Sequence, residues 1–243
     1  ITDEVKQSDL ANTYSLTDGL LETSARRVTQ YVYNGDYGSN KVKFGAYYGG
    51  SSKRNIKNVD LKNNRKNTWG TGLIFNHEID SIQNVTVAAG FTRQISENAN
   101  KTAYYSNAYA LGLAYNFVHT TYGLDLAHKD TKNKGGAGNK VKNNEVTAVI
   151  RQGLNEDWNV YAMYSYKTEK TLPVGSAYSK STDRQFLVGT EYYVFKQGSV
   201  KVKPFIEWQA TRTKYENTFD KDSGKQLDRS RDFKTVIGLR AYW

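Results

Sequence analysis

The side chains with the clearest chemical potential are lysines and arginines that recur at alternate positions along strand-like segments. Successive side chains of a strand point to opposite sides, so alternation gathers these bases on one face. Nine bases fall on the predicted inner face of a curved sheet, together with four carboxylates, an excess of five positive charges. The bases are Lys41, Lys43, Lys129, Arg151, Lys167, Lys201, Lys203, Lys234 and Arg240, and the acids are Asp125, Glu145, Glu191 and Glu207.

These charges have two interpretations, and the sequence leaves both open. Opposite charges on neighbouring strands pair and brace a sheet. Alternatively, bases that lack a partner stabilise anions that pass along a water-filled passage. The bases predicted to line such a passage and attract anions are Lys41, Lys43, Arg151, Lys167, Lys201, Lys203, Lys234 and Arg240. Tyr47 and Tyr161 share the inner face, and their rings offer flat surfaces on which sugars can stack.

No arrangement of residues indicates catalysis or metal binding. The three histidines, His77, His119 and His128, are dispersed, and none stands near a Ser or Asp in a nucleophile pattern. The chain has no cysteine, which excludes disulfides and thiolate metal sites. We therefore expect a protein that is not an enzyme and has no cofactor or metal.

The segment that best defines the fold is 232–243, at the C-terminus. Its alternate residues Phe233, Thr235, Ile237, Leu239, Ala241 and Trp243 form an apolar face, and the residues between them form a polar face with Lys234 and Arg240. A period of two predicts a β-strand. A strand of this kind that ends in an aromatic resembles the closing strand of a Gram-negative outer-membrane β-barrel, where the terminal strand also serves as the assembly signal.

The same alternation predicts strands through most of the chain. From residue 22 onward we expect strands at 22–34, 41–51, 66–79, 85–97, 103–117, 120–130, 142–154, 159–171, 182–195, 201–217 and 229–243. Strands of about 11 to 15 residues are long for a soluble β-sandwich, where about 5 to 6 is usual. One face of each strand suits lipid and the other suits water.

The connections alternate between short turns and longer polar loops, such as 52–65, 131–141, 172–181 and 218–228. Short periplasmic turns and longer extracellular loops are how outer-membrane barrels are arranged. If Trp243 ends at the periplasmic rim, an even strand count requires one more strand before residue 22. We therefore expect a single all-β domain over 1–243, an antiparallel transmembrane barrel of about 12 strands. Residues 3–16 would be the first strand and close the barrel against 229–243; alternatively, 1–21 lies inside the lumen.

Composition agrees with a membrane barrel although the mean hydropathy is only -0.72. No run of about 18 apolar residues exists to make a spanning helix. In a barrel only every second residue of a strand must be apolar, so the average stays low. The chain has 19 Tyr, 9 Phe and 4 Trp but only 2 Pro, as aromatic girdles and uninterrupted strand pairing require.

Twelve strands, a basic lumen and the strand segment from Pro204 to Trp208 resemble the small monomeric porins for acidic oligosaccharides, the oligogalacturonate and sialic-acid channel family. The resemblance implies a monomeric passive channel for small anionic solutes in the outer membrane of a Gram-negative bacterium. An alternative is the translocator domain of an autotransporter, with 1–21 as its lumenal segment. The net charge of +10 then favours anionic solutes and lipopolysaccharide phosphates as partners rather than nucleic acid. We further expect the assembly machinery to recognise 232–243.

Overall fold

The computed structural model describes residues 2–8, 20–22, 27–51, 64–98, 101–133, 139–173, 177–218 and 226–243. They form one antiparallel sheet of twelve strands and a single short 3-10 turn, Asp3–Val5. The strands are β1 (Val28–Tyr37), β2 (Asn40–Gly49), β3 (Asn64–Asp80), β4 (Gln83–Asn98), β5 (Lys101–Phe117), β6 (Thr120–Asn133), β7 (Lys140–Gly153), β8 (Trp158–Leu172), β9 (Ser179–Tyr192), β10 (Phe195–Gln197), β11 (Val200–Glu216) and β12 (Arg229–Tyr242).

The strands follow an up-and-down order in which sequence neighbours pair. Strand β10 is a short continuation of β9, because both pair with β11, at Phe205–Glu216 and Val200–Val202 respectively. The sheet thus contains eleven long strands, one at each predicted position, and β10 is the twelfth. The prediction of an antiparallel sheet of about twelve strands is confirmed, but the twelfth is β10 rather than the expected first strand at 3–16, and β1 begins at Val28 rather than at residue 22.

The two rims of the sheet differ as predicted. One rim carries the turns 38–39, 81–82, 118–119, 154–157 and 198–199. The other carries the connections 50–63, 99–100, 134–139, 173–178 and 217–228, most of which are longer. The short-turn rim is therefore the periplasmic one, and the long-loop rim faces outward from the cell.

The two faces of the sheet have opposite character. One face is apolar and exposed, and includes Phe186, Ile206, Trp208 and Phe233. Trp208 and Phe233 stack there with ring centroids 6.2 Å apart. The other face is enclosed and carries mostly small or polar residues, such as Ala88, Ser106 and Glu207, together with a buried apolar cluster around Met163 and Leu187. A sheet that exposes its apolar face and encloses its polar face is suited to lipid outside and water inside. No helix within the described ranges is long and apolar enough to span a membrane.

The N-terminal segment, residues 2–8 and 20–22, lies on the enclosed face. The turn Asp3–Val5 contacts β3, β4 and β5, and Val5 and Ser8 are buried. The prediction that residues 3–16 pair with 229–243 is therefore wrong for residues 3–8, and residues 9–16 lie outside the described ones. The alternative prediction, a lumenal location, is correct for the described part of 1–21. The physical cause is that polar groups of this segment find hydrogen-bond partners on the inner wall, at residues distant in the chain.

Strands β1 and β12 occupy the two ends of the sheet. Within the described residues, β1 pairs with β2 and β12 pairs with β11, and neither has a second neighbour. Both are consequently more exposed than the central strands.

Candidate functional site

The pairing register places all eight predicted anion-attracting bases on the enclosed face. On β11 and β12, Lys203 stands opposite Arg240, Lys201 opposite Tyr242, and Gln209 opposite Lys234. On β7 and β8, Glu145 stands opposite Lys167 and Arg151 opposite Tyr161. Lys41 and Lys43 lie on β2, opposite Asn76 and Ile74 of β3. The enclosed face is therefore the inner wall of the barrel, and its charges decide what the lumen attracts.

A group of charges on β7, β9, β11 and β12 forms what we term the basic cluster: Arg151, Glu191, Lys201, Lys203, Glu207 and Arg240. Its centre is Glu191, whose side chain is 0% exposed. Lys203 Nζ donates to Glu191 Oε2 at 2.5 Å, and Arg151 Nη2 donates to Glu191 Oε1. One carboxylate thus lies between two cations, which leaves this contact with a net positive charge.

The basic cluster keeps its positive surplus when its other members are included. Arg240 stands directly opposite Lys203, and Lys201 lies exposed two residues away on the same face. Glu207 is the second carboxylate, and Tyr161 donates its hydroxyl to Glu207 Oε1 at 2.5 Å. The basic cluster thus contains four cations and two carboxylates near the periplasmic rim.

The remaining predicted bases are paired with acids. Lys41 Nζ lies 2.7 Å from Glu78, Lys43 Nζ 2.5 Å from Glu4, and Lys167 Nζ 3.4 Å from Glu145. Lys234 Nζ lies 2.9 Å from Asp232 on its own strand. Lys129, also expected on the inner face, lies 2.9 Å from Glu22. In this part of the wall the charges brace the structure, as the first of the two sequence interpretations expected.

Several inner-face carboxylates were not among the four acids predicted from the sequence. Asp36 stands opposite Lys41, and Asp183 opposite Lys167. Glu78 and Asp232 pair with bases of the same face. Asp36 was placed in a turn, but β1 continues to Tyr37 and carries it onto the wall. A hairpin register derived from the two-residue turn at 38–39 would have found it.

Asp125, a predicted inner-face acid, binds the N-terminal segment instead of a base. Its carboxylate accepts the backbone N–H of Gln7 at 2.8 Å and of Ser8 at 2.7 Å, and also the Ser8 hydroxyl. Gly112 lies opposite Asp125 and permits this approach, because a Cβ there would lie 2.1 Å from the Val5 carbonyl oxygen. No sequence pattern indicated this contact, which joins residues 117 positions apart.

The same segment is fixed at a second point, around Glu22. Tyr47 donates its hydroxyl to the Glu22 carbonyl oxygen at 2.8 Å, and Glu22 N–H donates to Thr92 Oγ1 at 3.1 Å. Thr2 Oγ1 donates to the same carbonyl at 3.0 Å, which ties the two described pieces of the segment together. The segment therefore covers the inner wall of β2 to β6 and neutralises Lys43 and Lys129 there.

The two tyrosines predicted to stack on sugars differ in access. Tyr161 is 4% exposed, and its ring lies over Gly189, where a Cβ would approach the ring to 2.5 Å. Tyr47 is half-buried beside the N-terminal segment. The stacking role of both residues stays a prediction, and it applies better to Tyr47 because more of its ring is accessible.

The histidines remain apart in three dimensions. His77 contacts Asn40 and His128 contacts Asn144 and Asp130, while His119 lies in the turn between β5 and β6. Among the described residues no three His, Cys, Asp or Glu side chains could together hold a metal ion. The expectations of no cofactor and no enzymatic activity stay predictions.

Comparison with known proteins shows the fold. No family model and no curated protein matches the chain. The chain is similar to solved structures of OmpT, an outer membrane protein of Vibrio cholerae. For one in-vitro folded form the TM-score is 0.62 at 15% identity, covering 100% of this chain and 73% of that one. For the form that lacks loop L8 the TM-score is 0.60 at 16% identity, covering 100% and 72%. An anion-selective porin from Comamonas acidovorans has a TM-score of 0.59 at 15% identity, covering 90% of this chain and 60% of that one.

The fold of this chain is thus that of outer-membrane β-barrels. The exposed apolar face and the unequal rims independently require a lipid surround. The predicted fold class and the predicted location, the outer membrane of a Gram-negative bacterium, are confirmed.

Proposed function

We propose that this barrel is a passive channel for small hydrophilic solutes and that it favours anions, with acidic oligosaccharides as the solute class. The basic cluster is the observation that carries the proposal, because its four cations outnumber its two carboxylates on an inner wall. A surplus of Lys and Arg at a pore wall stabilises a passing anion and raises its local concentration.

The charge distribution favours a path along β7 to β12. On the wall of β2 to β6 the N-terminal segment supplies Glu4 and Glu22 to Lys43 and Lys129, so those bases no longer act on a solute. The anion selectivity of the Comamonas acidovorans porin, which has a similar fold, supports the proposal by analogy.

The test is the reversal potential of the refolded protein in a planar bilayer with a potassium chloride gradient. Lys201→Gln and Arg240→Gln together should reduce the ratio of chloride to potassium permeability, because both remove positive charge from the wall. A matched double variant, Lys214→Gln and Arg229→Gln, removes the same charge from the outward face of β11 and β12 and should leave the ratio unchanged. Cation selectivity of the wild type, or no conductance at all, would refute the proposal.

The second candidate function is that of an autotransporter translocator domain. The observation that favours it is the N-terminal segment on the inner wall, where a lumenal segment was expected for that family. Against this candidate, residues 3–5 form only a short 3-10 turn, whereas a translocator domain of this kind is expected to hold an N-terminal helix in its lumen.

Both candidates include a partner outside the pore. We propose that the assembly machinery recognises β12 through residues 232–243, because this strand pairs on one side only within the described residues and exposes Phe233, Ile237 and Leu239. We also propose that the barrel acts as a monomer, as do the small porins for acidic oligosaccharides that the sequence resembles.

A further inference from the structure

Three arginines on adjacent strands form a row on the outward face, which we term the arginine row. Arg184 of β9 stands directly opposite Arg212 of β11, and Arg212 stands directly opposite Arg231 of β12. All three side chains are exposed. Side chains directly opposite each other on adjacent strands have Cβ atoms about 4.5–5.5 Å apart, and like charges at that distance are destabilising. The arginine row therefore lowers the stability of the protein when no anion is bound to it.

The rows above it, towards the outward rim, carry charges of both signs. Lys214 stands opposite Arg229, and Lys170 stands between Lys180 and Lys142, whose other neighbours are Glu216 and Asp130. Lys214 and Arg229 have carboxylates nearby, at 3.5 Å from Glu216 and 3.6 Å from Asp228. Within the described ranges no ion pair involves Arg184, Arg212 or Arg231. Among the described side chains, the Tyr166 ring contacts this group, with the Arg184 guanidinium 5.9 Å from its centroid.

The row below the arginines is aromatic and apolar. Tyr164, Phe186, Ala210 and Phe233 occupy adjacent strands two residues nearer the periplasm, and the three rings are exposed. Two residues of a strand correspond to about 7 Å. The arginine row thus lies about 7 Å from an exposed apolar row, on the side nearer the outward rim. Both rows are on the face of the sheet that contacts lipid.

We propose that this surface is a binding site for a phosphorylated lipid of the outer leaflet. The lipid phosphate lies between the guanidinium groups of Arg212 and Arg231 or of Arg184 and Arg212, and its acyl chains lie along Phe186 and Phe233. Guanidinium groups bind phosphate oxygens through paired hydrogen bonds. The phosphate removes the repulsion within the arginine row, and the acyl chains pack against the exposed rings of the apolar row. The site is independent of the pore and of whether the lumen conducts.

The occupant is a lipid rather than a free anion because of the apolar row. Inorganic phosphate would contact the arginines alone, whereas a lipid also places its acyl chains against the exposed rings about 7 Å below them. A membrane barrel presents this height of its wall to lipid headgroups, so the phosphate arrives already attached to acyl chains.

The experiment is native mass spectrometry of the detergent-refolded chain titrated with bisphosphorylated lipid A or with its dephosphorylated form. The wild type should retain the bisphosphorylated lipid, and Arg212→Gln with Arg231→Gln should weaken that retention at least about tenfold. The matched control is Lys66→Gln with Arg93→Gln. It removes two cations near the same rim that already have partners, Glu97 at 2.9 Å and the Tyr105 ring at 5.7 Å. The control should bind as the wild type does.

Every variant is first shown to be folded by heat-modifiable gel migration, so that a loss of lipid retention is not caused by misfolding. Without added lipid, Arg212→Gln with Arg231→Gln should be at least as heat-resistant as the wild type, since it relieves repulsion. Equal retention by wild type and variant, equal retention of the dephosphorylated lipid, or an equal loss in the control would overturn the proposal. Displacement of the lipid by an equal concentration of inorganic phosphate would also overturn it, because the site would then be one for free anions.

Discussion

Asp125 in the middle of β6 holds Ser8 of the N-terminal segment through both the backbone N–H, at 2.7 Å, and the hydroxyl of that serine. The contact is buried and joins residues 117 positions apart. Because the segment lies on the inner wall, it reduces the open cross-section of the lumen. We expect a variant that lacks residues 1–8 to fold and to conduct more strongly in planar bilayers. Failure of this variant to assemble would instead mean that the residues complete the wall, as the sequence first suggested.

Gly112 controls the same contact from the opposite strand. A Cβ at Gly112 would lie 2.1 Å from the Val5 carbonyl oxygen and 2.9 Å from Asp125 Oδ1, so Gly112→Ala should expel the segment from the wall. The measurement is labelling of a cysteine introduced by Ser8→Cys with a bulky water-soluble maleimide, which should be faster in Gly112→Ala. Gly50→Ala is the control, because the nearest atom to its Cβ would be 3.8 Å away. Similar labelling in both variants would show that the segment tolerates the methyl group.

Glu191 should be the most sensitive charge on the inner wall. Glu191→Gln leaves Arg151 and the nearly buried Lys203 without their carboxylate, and an uncompensated charge of this kind costs about 3–5 kcal/mol. We expect the free energy of unfolding, measured in urea with lipid vesicles, to fall by that amount. Glu78→Gln breaks the exposed pair with Lys41 and should cost at most about 1 kcal/mol. Equal losses in the two variants would contradict the special position of Glu191.

The outward face of β11 should reject charge in a membrane. Ile206 is 44% exposed and points to the same side as Trp208. Ile206→Arg should lower the free energy of unfolding from vesicles by about 2–4 kcal/mol, the cost of Arg at the lipid-facing midplane of a barrel. Thr211→Arg, on the inner face of the same strand, should cost much less because it projects towards water. A small effect at Ile206 would place that residue outside the hydrocarbon region.

The sequence determined the parts of this protein that depend on local periodicity. Alternation along Val202, Pro204, Ile206 and Trp208 established both the strand and its lipid-facing side, because strand geometry sends successive side chains to opposite faces. The same rule placed Lys203 and Arg240 on the inner wall, and the contrast of short and long connections established the two rims. Strand ends were less well determined: Asp36 was assigned to a turn because Asn34 and Gly35 favour turns, whereas β1 continues to Tyr37.

Tertiary structure alone decided which charges are available and where the N-terminal segment lies. Parity of the strands suggested that residues 3–16 close the sheet, whereas residues 3–8 bind Asp125 and the wall of β3 to β5. Glu4 and Glu22 of that segment neutralise Lys43 and Lys129. Inner-face bases that look alike in the sequence therefore fall into two groups, those paired with an acid and those of the basic cluster around Glu191. Such contacts join residues distant in the chain, and their formation depends on the curvature of the sheet, which periodicity does not encode.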